Sequence, residues 1–415
     1  MVITRGDSIG GAQLYVRDLA KRLQQDEHEV LVVTGTSVML TRMLTAAEIP
    51  FTMCSCLQRQ VHPLNDARAV RSLGRIIRAF KPDLLSAHSS KAGIIGRLAG
   101  KLNGVPCIFT AHGWPFAEGM PQPGRTIWRV IEQLSGPLAA RIICVSTSDR
   151  QLALDCGFDP RRLVTIHNGI PDMPVPPRSP RDAGAPVRIA MVARFSPQKD
   201  HESLLRAIRD IPNCEVDFVG DGPLQESMTT LASRLGVRNR VRFHGYRSDV
   251  SSLLIESDLF VLASHYEGFP LTTLEAMRAG LPAIVSNAGG AGEAVIPGVS
   301  GYVVARGDVS ALRGRIRTLV EHPNLRTAMG NAGRLLYLDS FTFERMYRST
   351  LTVYEDIVLG YGIRGPRCVE NDPGSSRRVL SIVTAWRSAI QVAGPASEHQ
   401  PSYHRRRIPW GAEWD

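Results

Sequence analysis

The stretch DLFVLASHYEGFPLTTLEAMRAGLP, from Asp258 to Pro282, constrains the fold more than any other part of the chain. It begins with an apolar run of strand length, Asp258 to Ser264, suited to burial on both faces of a parallel sheet. Glu267, Gly268, Phe269 and Pro270 then make a turn. Thr272 or Thr273 is expected to cap a short helix carrying Leu274, Ala276 and Met277, which Gly280 and Pro282 end. Strand, glycine turn and helix in that order leave backbone N–H groups and a positive dipole end facing outward, ready for a phosphate. Two carboxylates flank this anion site, Glu267 before the helix and Glu275 in its second turn, with seven residues between them. Carboxylates would repel a bound diphosphate, so they are expected to accept hydrogen bonds from hydroxyls. A sugar nucleotide has that layout: ribose, diphosphate, hexose. An ordinary strand–helix unit with two solvated glutamates has the same spelling, and the rest of the chain has to decide between the two.

Taken in order, the chain repeats this grammar. Val2 to Thr4 reads as the end of a buried strand, followed by a glycine loop from Gly6 to Ala12. Leu14, Val16, Leu19, Ala20 and Leu23 then mark the apolar face of a helix. Gly10 and Gly11 let the backbone approach a ligand closely. Strands are expected at His28 to Thr34, Asp83 to His88 and Pro106 to Thr110. Their alternation with helical patterns predicts a parallel α/β sheet with ligands just past the strands' carboxyl ends. His88, Ser89, Ser90 and Lys91 fall there, as do His112 with Gly113 and Asn168 with Gly169.

Between Pro171 and Pro186 lie six prolines and almost no apolar periodicity, which predicts a stiff connector over residues 171–187. It divides an N-terminal domain, residues 1–170, from a C-terminal one, residues 188–340. The second half restarts with a buried strand from Val187 to Ala193, ending at Arg194. Arg194 and Lys199 are the cations beside that strand's end, and Lys199 is the only lysine of this half. Gly220 and Gly222 follow the next strand, and Tyr246 the one after. The apolar spacing after Phe341 predicts a helix over residues 341–361. Residues 362–415, rich in Pro, Gly, Ser and Arg, read as a basic, disordered tail.

Composition narrows the setting. The chain of 415 residues carries a formal charge of +10, with the excess in the first half and the tail. No nucleic-acid module is recognisable, and aromatics do not alternate with the arginines, so nucleic acid is not an expected partner. Seven scattered cysteines lack zinc-like pairing and suit a reducing cytosol. There is no signal-like start and no apolar run of about 20 residues to span a bilayer. On a helix from about Asp66 to Phe80, Arg68, Arg71, Arg75 and Arg78 fall on one face, opposite Val70, Leu73, Ile77 and Phe80. That face is expected to be solvated, or to rest on anionic lipid at the inner side of the plasma membrane.

EGFPLTTLEAM, with Glu267 and Glu275, resembles the E-x7-E motif of the family-4 retaining glycosyltransferases, enzymes with two facing Rossmann-like domains in the GT-B architecture. The likeness extends over most of residues 1–360. It implies an R-x4-K diphosphate clamp in Arg194 and Lys199, and a cleft-lining segment at Gly10 and Gly11. It implies a histidine beside the transferred sugar in His112. Donor contacts are implied at Gly220, Gly222, Tyr246, Gly268, Phe269, Pro270, Leu271 and Thr272. Glu267 would hold the hexose and Glu275 the ribose; His88, Ser89 and Lys91 suggest acceptor contacts. The last helix would cross back to the first domain.

The expected function is therefore transfer of a hexose or N-acetylhexosamine from a nucleotide-diphospho-sugar, UDP favoured on family frequency, to a lipid-linked saccharide or lipid for cell-surface polysaccharide. No Asp-x-Asp occurs, so no metal or cofactor is expected and the cations take a metal's place. A sugar-nucleotide 2-epimerase can share the architecture, and a non-catalytic nucleotide-sugar-binding protein is a third reading. The intact set Arg194, Lys199, Glu267 and Glu275 argues against loss of activity. A dehydrogenase is disfavoured because Gly6 to Ala12 does not spell G-x-G-x-x-G.

Overall fold

The computed structural model describes residues 1–3, 10–35, 38–58, 60, 62–119, 124–175 and 184–360. The tail at 362–415 and part of the proline-rich connector lie outside the described residues. Within them, short strands line up in two all-parallel sheets. The first contains β1 (Val2–Ile3), β2 (Val32–Thr34), β3 (Phe51–Met53), β4 (Leu85–His88), β5 (Cys107–Ala111), β6 (Arg141–Cys144) and β7 (Leu163–Thr165), in the order β3-β2-β1-β4-β5-β6-β7. The second contains β8 (Val187–Val192), β9 (Cys214–Val219), β10 (Val241–Phe243), β11 (Leu259–Leu262), β12 (Ala283–Ser286) and β13 (Gly301–Val304), in the order β10-β9-β8-β11-β12-β13. Parallel strands need crossovers, and the helices that supply them cover both faces. That is why β11 is buried at every position and reads as an unbroken apolar run.

Each sheet reverses its winding once, between β1 and β4 in the first and between β8 and β11 in the second. At such a switch point neighbouring connections leave to opposite faces and open a crevice past the strands' carboxyl ends. Arg194 follows β8 and Glu267 follows β11; His88 ends β4, and Gly10 lies beyond β1.

Two local expectations need correction. The Leu271–Arg278 helix starts on Pro270, whose extended backbone (φ −73°, ψ 122°) leads into it; Thr272 and Thr273 lie in the first turn and do not cap it. The arginine-bearing helix runs Pro63–Phe80, starting earlier than the apolar spacing indicated, because His62 accepts the Asn65 N–H and Pro63 fits the first helical position. β8 begins at Val187, as the apolar run after the connector indicated. β3, β6 and β7 had no forecast: β3 and β7 are three-residue strands at the two sheet edges, too short to show a pattern.

The last described helix, Phe343–Val358, leaves the second half and packs on the first. Met346, Tyr347, Val353 and Tyr354 join Tyr15, Val16 and Leu19 in one core. Tyr347 Oη donates to Asp26 Oδ2 at 2.5 Å, and Arg22 pairs with Glu344 at 2.9 Å. From the Pro323–Ser340 helix, Arg334 grips Asp172 with both terminal guanidinium nitrogens, at 2.5 and 3.0 Å, fastening the start of the connector to the second half.

Candidate active site

The site is assembled on the second sheet's switch point. The segment after β8 doubles back so that Lys199 bridges Ser264, just past β11, and His265 N–H donates to the Gln198 carbonyl at 2.8 Å. Gln198 Nε2 in turn donates to the Tyr266 carbonyl at 2.8 Å. These bonds carry the two loops as one unit and set the Lys199 ammonium against the Glu267 carboxylate in an ion pair. Both side chains are largely withdrawn from solvent, at 15% and 6% exposure, so their attraction is little screened. Arg194 is exposed at the same edge. Gly222 allows the approach behind it: a Cβ there would collide with the Phe195 carbonyl, and Phe195 N–H donates to Asp221 O at 2.8 Å. Gly220 sits likewise against Ala193, and its N–H donates to the Gly245 carbonyl, next to exposed Tyr246.

Immediately after Glu267 the backbone meets the other half. A Cβ on Gly268 would lie 2.8 Å from both Gly113 N and the His112 carbonyl oxygen, so glycine there lets the two cleft walls touch. Asn168 Nδ2 donates to the Phe269 carbonyl at 2.7 Å, and Phe269 stacks obliquely on His167. Leu271 lies 3.5 Å from where a Gly11 Cβ would be, which brings the Gly10–Gly11 backbone and the start of the Leu271–Arg278 helix together. Gly10 N–H itself donates to Gln13 Oε1 at 3.0 Å. Glu275 is half-buried one turn further on, and the described residues give its carboxylate no hydrogen-bond partner. Burial pushes it up to about 7, against a partial opposing pull from Arg278.

On the first half's wall, His112 is half-buried past the end of β5. Its Nε2 is 3.1 Å from His88 Nδ1, and the edge of the Tyr15 ring packs against it at 5.0 Å. Burial pulls His112 down to about 4, so the ring is neutral at physiological pH. His88, fully buried, lies behind His112 and supports it. The Lys91 ammonium pairs with Asp66 at 2.7 Å and donates to the Gln60 carbonyl. Ser89 precedes the Ser90–Asn103 helix with φ 71° and ψ 149°, a backbone region nearly confined to glycine and one found most at functional sites.

Two contributors carry no local signal. Glu293, beyond β12, accepts from Thr147 N–H at 2.8 Å and Ser148 N–H at 2.7 Å, the first two N–H groups of a helix of the other half. Tyr354 reaches Ser86 from the crossing helix at 2.5 Å. The glycine pair before Glu293 was the one available hint to the first. The second shows in sequence only as helical spacing.

Residues 9–172 match the family model described as Glycosyltransferase Family 4, and residues 178–336 the one described as Glycosyl transferases group 1. A UDP-Gal:alpha-D-GlcNAc-diphosphoundecaprenol alpha-1,3-galactosyltransferase of Escherichia coli is 26% identical over 358 residues, spanning 81% of this chain and 91% of that protein. The O-antigen biosynthesis glycosyltransferase WbnH of Escherichia coli is 28% identical over 304 residues, spanning 71% and 82%. Among solved structures, HepE of Anabaena in complex with UDP superposes with a TM-score of 0.72 at 22% identity, covering 86% of this chain and 99% of that one. Sucrose-phosphate synthase of Thermosynechococcus elongatus gives 0.77 at 18% identity over the same shares. At these identities the superpositions establish the shared two-domain fold.

Proposed function

The chain belongs to the family-4 glycosyltransferases of the GT-B fold, and from that premise we propose that it transfers a hexose or N-acetylhexosamine, with retention, from a UDP-sugar to a lipid-linked saccharide. The observation that carries this reading is the Lys199–Glu267 pair at the second switch point, directly before a helix N-terminus and against the His112–Gly113 wall. A donor's diphosphate arriving there competes with Glu267 for the Lys199 ammonium. That frees the Glu267 carboxylate to accept hydrogen bonds from the hexose hydroxyls. Glu275, without a protein partner among the described residues, is the acceptor for the ribose hydroxyls.

Cleavage of the anomeric C–O bond leaves positive charge on the sugar and negative charge on the departing diphosphate. Arg194, Lys199 and the N–H groups at the start of the Leu271–Arg278 helix stabilise that negative charge without a metal. The acceptor oxygen bonds to the anomeric carbon on the face the diphosphate leaves, and its proton passes to a diphosphate oxygen. Neutral His112 offers a hydrogen bond beside the sugar without adding charge. The test is turnover of UDP-hexoses and UDP-N-acetylhexosamines on a diphospholipid-linked sugar, with the product's new anomeric centre read by NMR. Retained configuration is expected; an inverted centre overturns the mechanism, and epimer formation without acceptor overturns the transferase.

The lipid-linked acceptor fits a protein that works at the inner face of a membrane. Arg68, Arg71, Arg75 and Arg78 are all exposed on the Pro63–Phe80 helix. The next helix in the layer exposes Leu98, Lys101 and Leu102, and the Gly124–Ser135 helix beside it exposes Ile127, Val130 and Leu134. Basic and apolar side chains in one layer suit an anionic bilayer, each arginine contributing on the order of 1 kcal/mol. No helix among the described residues is long and apolar enough to cross a membrane. Flotation with vesicles rich in anionic lipid is expected, and it should be lost when the four arginines become glutamine; unchanged flotation sinks the contact.

A further inference from the structure

A buried file of hydrogen-bonding groups runs from the crossing helix to the cleft. Tyr354 Oη lies 2.5 Å from Ser86 Oγ, Ser86 Oγ 2.9 Å from His88 Nε2, and His88 Nδ1 3.1 Å from His112 Nε2. Tyr354, Ser86 and His88 are 7%, 4% and 0% exposed. The Tyr15 ring walls the file on one side, 5.5 Å from the His88 ring and 5.0 Å from that of His112.

The direction of the protons along this file follows from its buried end. A phenol keeps its proton at neutral pH, and burial pushes Tyr354 further up. Among the described residues Ser86 Oγ is the polar partner of that hydroxyl, so Tyr354 donates to it. Ser86 then turns its own O–H to His88 Nε2. A neutral imidazole has one donor and one acceptor nitrogen, so His88 carries its proton on Nδ1 and donates to His112 Nε2. By the same rule His112 carries its proton on Nδ1. The opposite direction would leave one buried hydroxyl hydrogen, that of Tyr354 or of Ser86, without an acceptor among the described residues, which folded proteins avoid.

We propose that Tyr354 and Ser86 are positioning residues that fix the tautomer of His112, so that its free ring nitrogen is an N–H donor. The described residues supply that Nδ1 with no partner, and the ring is half-buried at the cleft wall. Such a donor selects an oxygen lone pair, from a sugar hydroxyl or a departing phosphate, and refuses a second donor. The donor is set from the far end of the chain: without the crossing helix in place, either nitrogen of His112 could hold the proton. This inference rests on the reading of His112 as the residue beside the transferred sugar.

The experiment is long-range proton–nitrogen NMR on the full chain with labelled histidine, signals assigned through His88→Gln and His112→Gln. The wild type should show His112 protonated at Nδ1 and bare at Nε2. In Tyr354→Phe, which keeps the ring, and separately in Ser86→Ala, His112 should shift to a mixture of tautomers. In both variants kcat should fall about tenfold with the donor KM little changed, the pattern for an interaction made at the transition state. His112 protonated at Nε2 in the wild type, or a tautomer unmoved in both folded variants, overturns the proposal. A tautomer that moves while turnover does not upholds the file and overturns the placement of His112 beside the sugar.

Discussion

Glu293 accepts a hydrogen bond from the Ser148 N–H at 2.7 Å, across the boundary between the two sheets. The same carboxylate takes the Thr147 N–H at 2.8 Å and lies 2.8 Å from His167 Nε2. A residue of one half thus takes the first two N–H groups of a helix in the other, the Thr147–Asp155 helix, whose cap is Ser146. Burial pushes the Glu293 carboxyl up, but the hydrogen bonds from His167, Ser148 and Thr147 outweigh it and hold it below the ordinary range. A carboxyl with a depressed folded pKa stabilises above its unfolded pKa and loses that contribution as pH falls through the folded value. Glu293→Ala should cost about 1–2 kcal/mol, the usual worth of a side-chain acceptor at a helix start. The loss should be full at pH 7 and should shrink on acidification below the ordinary glutamate pKa, as read by urea unfolding at each pH. A pH-independent loss would mean the carboxylate charge is not what holds the halves.

Glu267→Ala should separate binding from chemistry. Removing the carboxylate releases Lys199, so UDP affinity should hold or rise, while kcat falls by about 10²–10³ as the hexose loses its anchor. Lys199→Ala should weaken UDP by about tenfold or more, since it removes a cation from the diphosphate. Calorimetric titration of UDP beside steady-state kinetics checks both. Equal loss of affinity and turnover in Glu267→Ala would contradict its place at the sugar.

Gly268→Ala tests the contact between the cleft walls. A methyl group at 2.8 Å from Gly113 N and the His112 carbonyl has no room unless the walls part. The expected outcome is a folded protein with turnover reduced at least tenfold, because misplacement of about 1 Å at reacting groups costs up to 10²-fold. Wild-type turnover in this variant would show that the contact plays no part in catalysis.

Glu275 gives donor binding a pH signature. Burial raises its carboxyl from 4.5 to about 7 in the unliganded protein, so between those values the folded state holds a proton that the unfolded chain has released. Stability owed to this site is therefore present below the unfolded pKa and declines as pH rises from 4.5 to about 7. Ribose hydroxyls favour the ionised form, so UDP binding near pH 6 should release protons, visible as a buffer-dependent binding enthalpy. In Glu275→Gln that dependence should vanish and the thermal midpoint at pH 8 should rise. A buffer-independent enthalpy in the wild type would remove Glu275 from the ribose.

The parts of this architecture that were legible in the sequence are those written in consecutive residues. β11, buried on both sides, shows as an apolar run, and its turn and helix show as glycine and spacing. Arg194 and Lys199 were visible because a strand's end fixes where a following cation must lie. What escaped depends on residues far apart in the chain. Lys91 showed as a cation past a strand's end, but its pairing with Asp66, from a separate helix, did not. His88 and His112 read as two separate contacts, since pairing them requires β4 and β5 to be adjacent. Glu293 accepts from a helix start 145 residues earlier, and no local pattern encodes that.

The path of the Phe343–Val358 helix also bears on how such enzymes can be recombined. Its Met346, Tyr347 and Val353 complete the core around Tyr15, Val16 and Leu19, although the chain reaches them only after finishing the second sheet. A chimera joined at the connector would therefore bring, with the second sheet of one parent, a foreign helix pressed into the first-half core of the other. A functional exchange needs two crossovers, one in the connector and one near Phe341, so that residues 343–358 travel with the first half. In hereditary terms the first half is a discontinuous segment, and the second half is an insert within it.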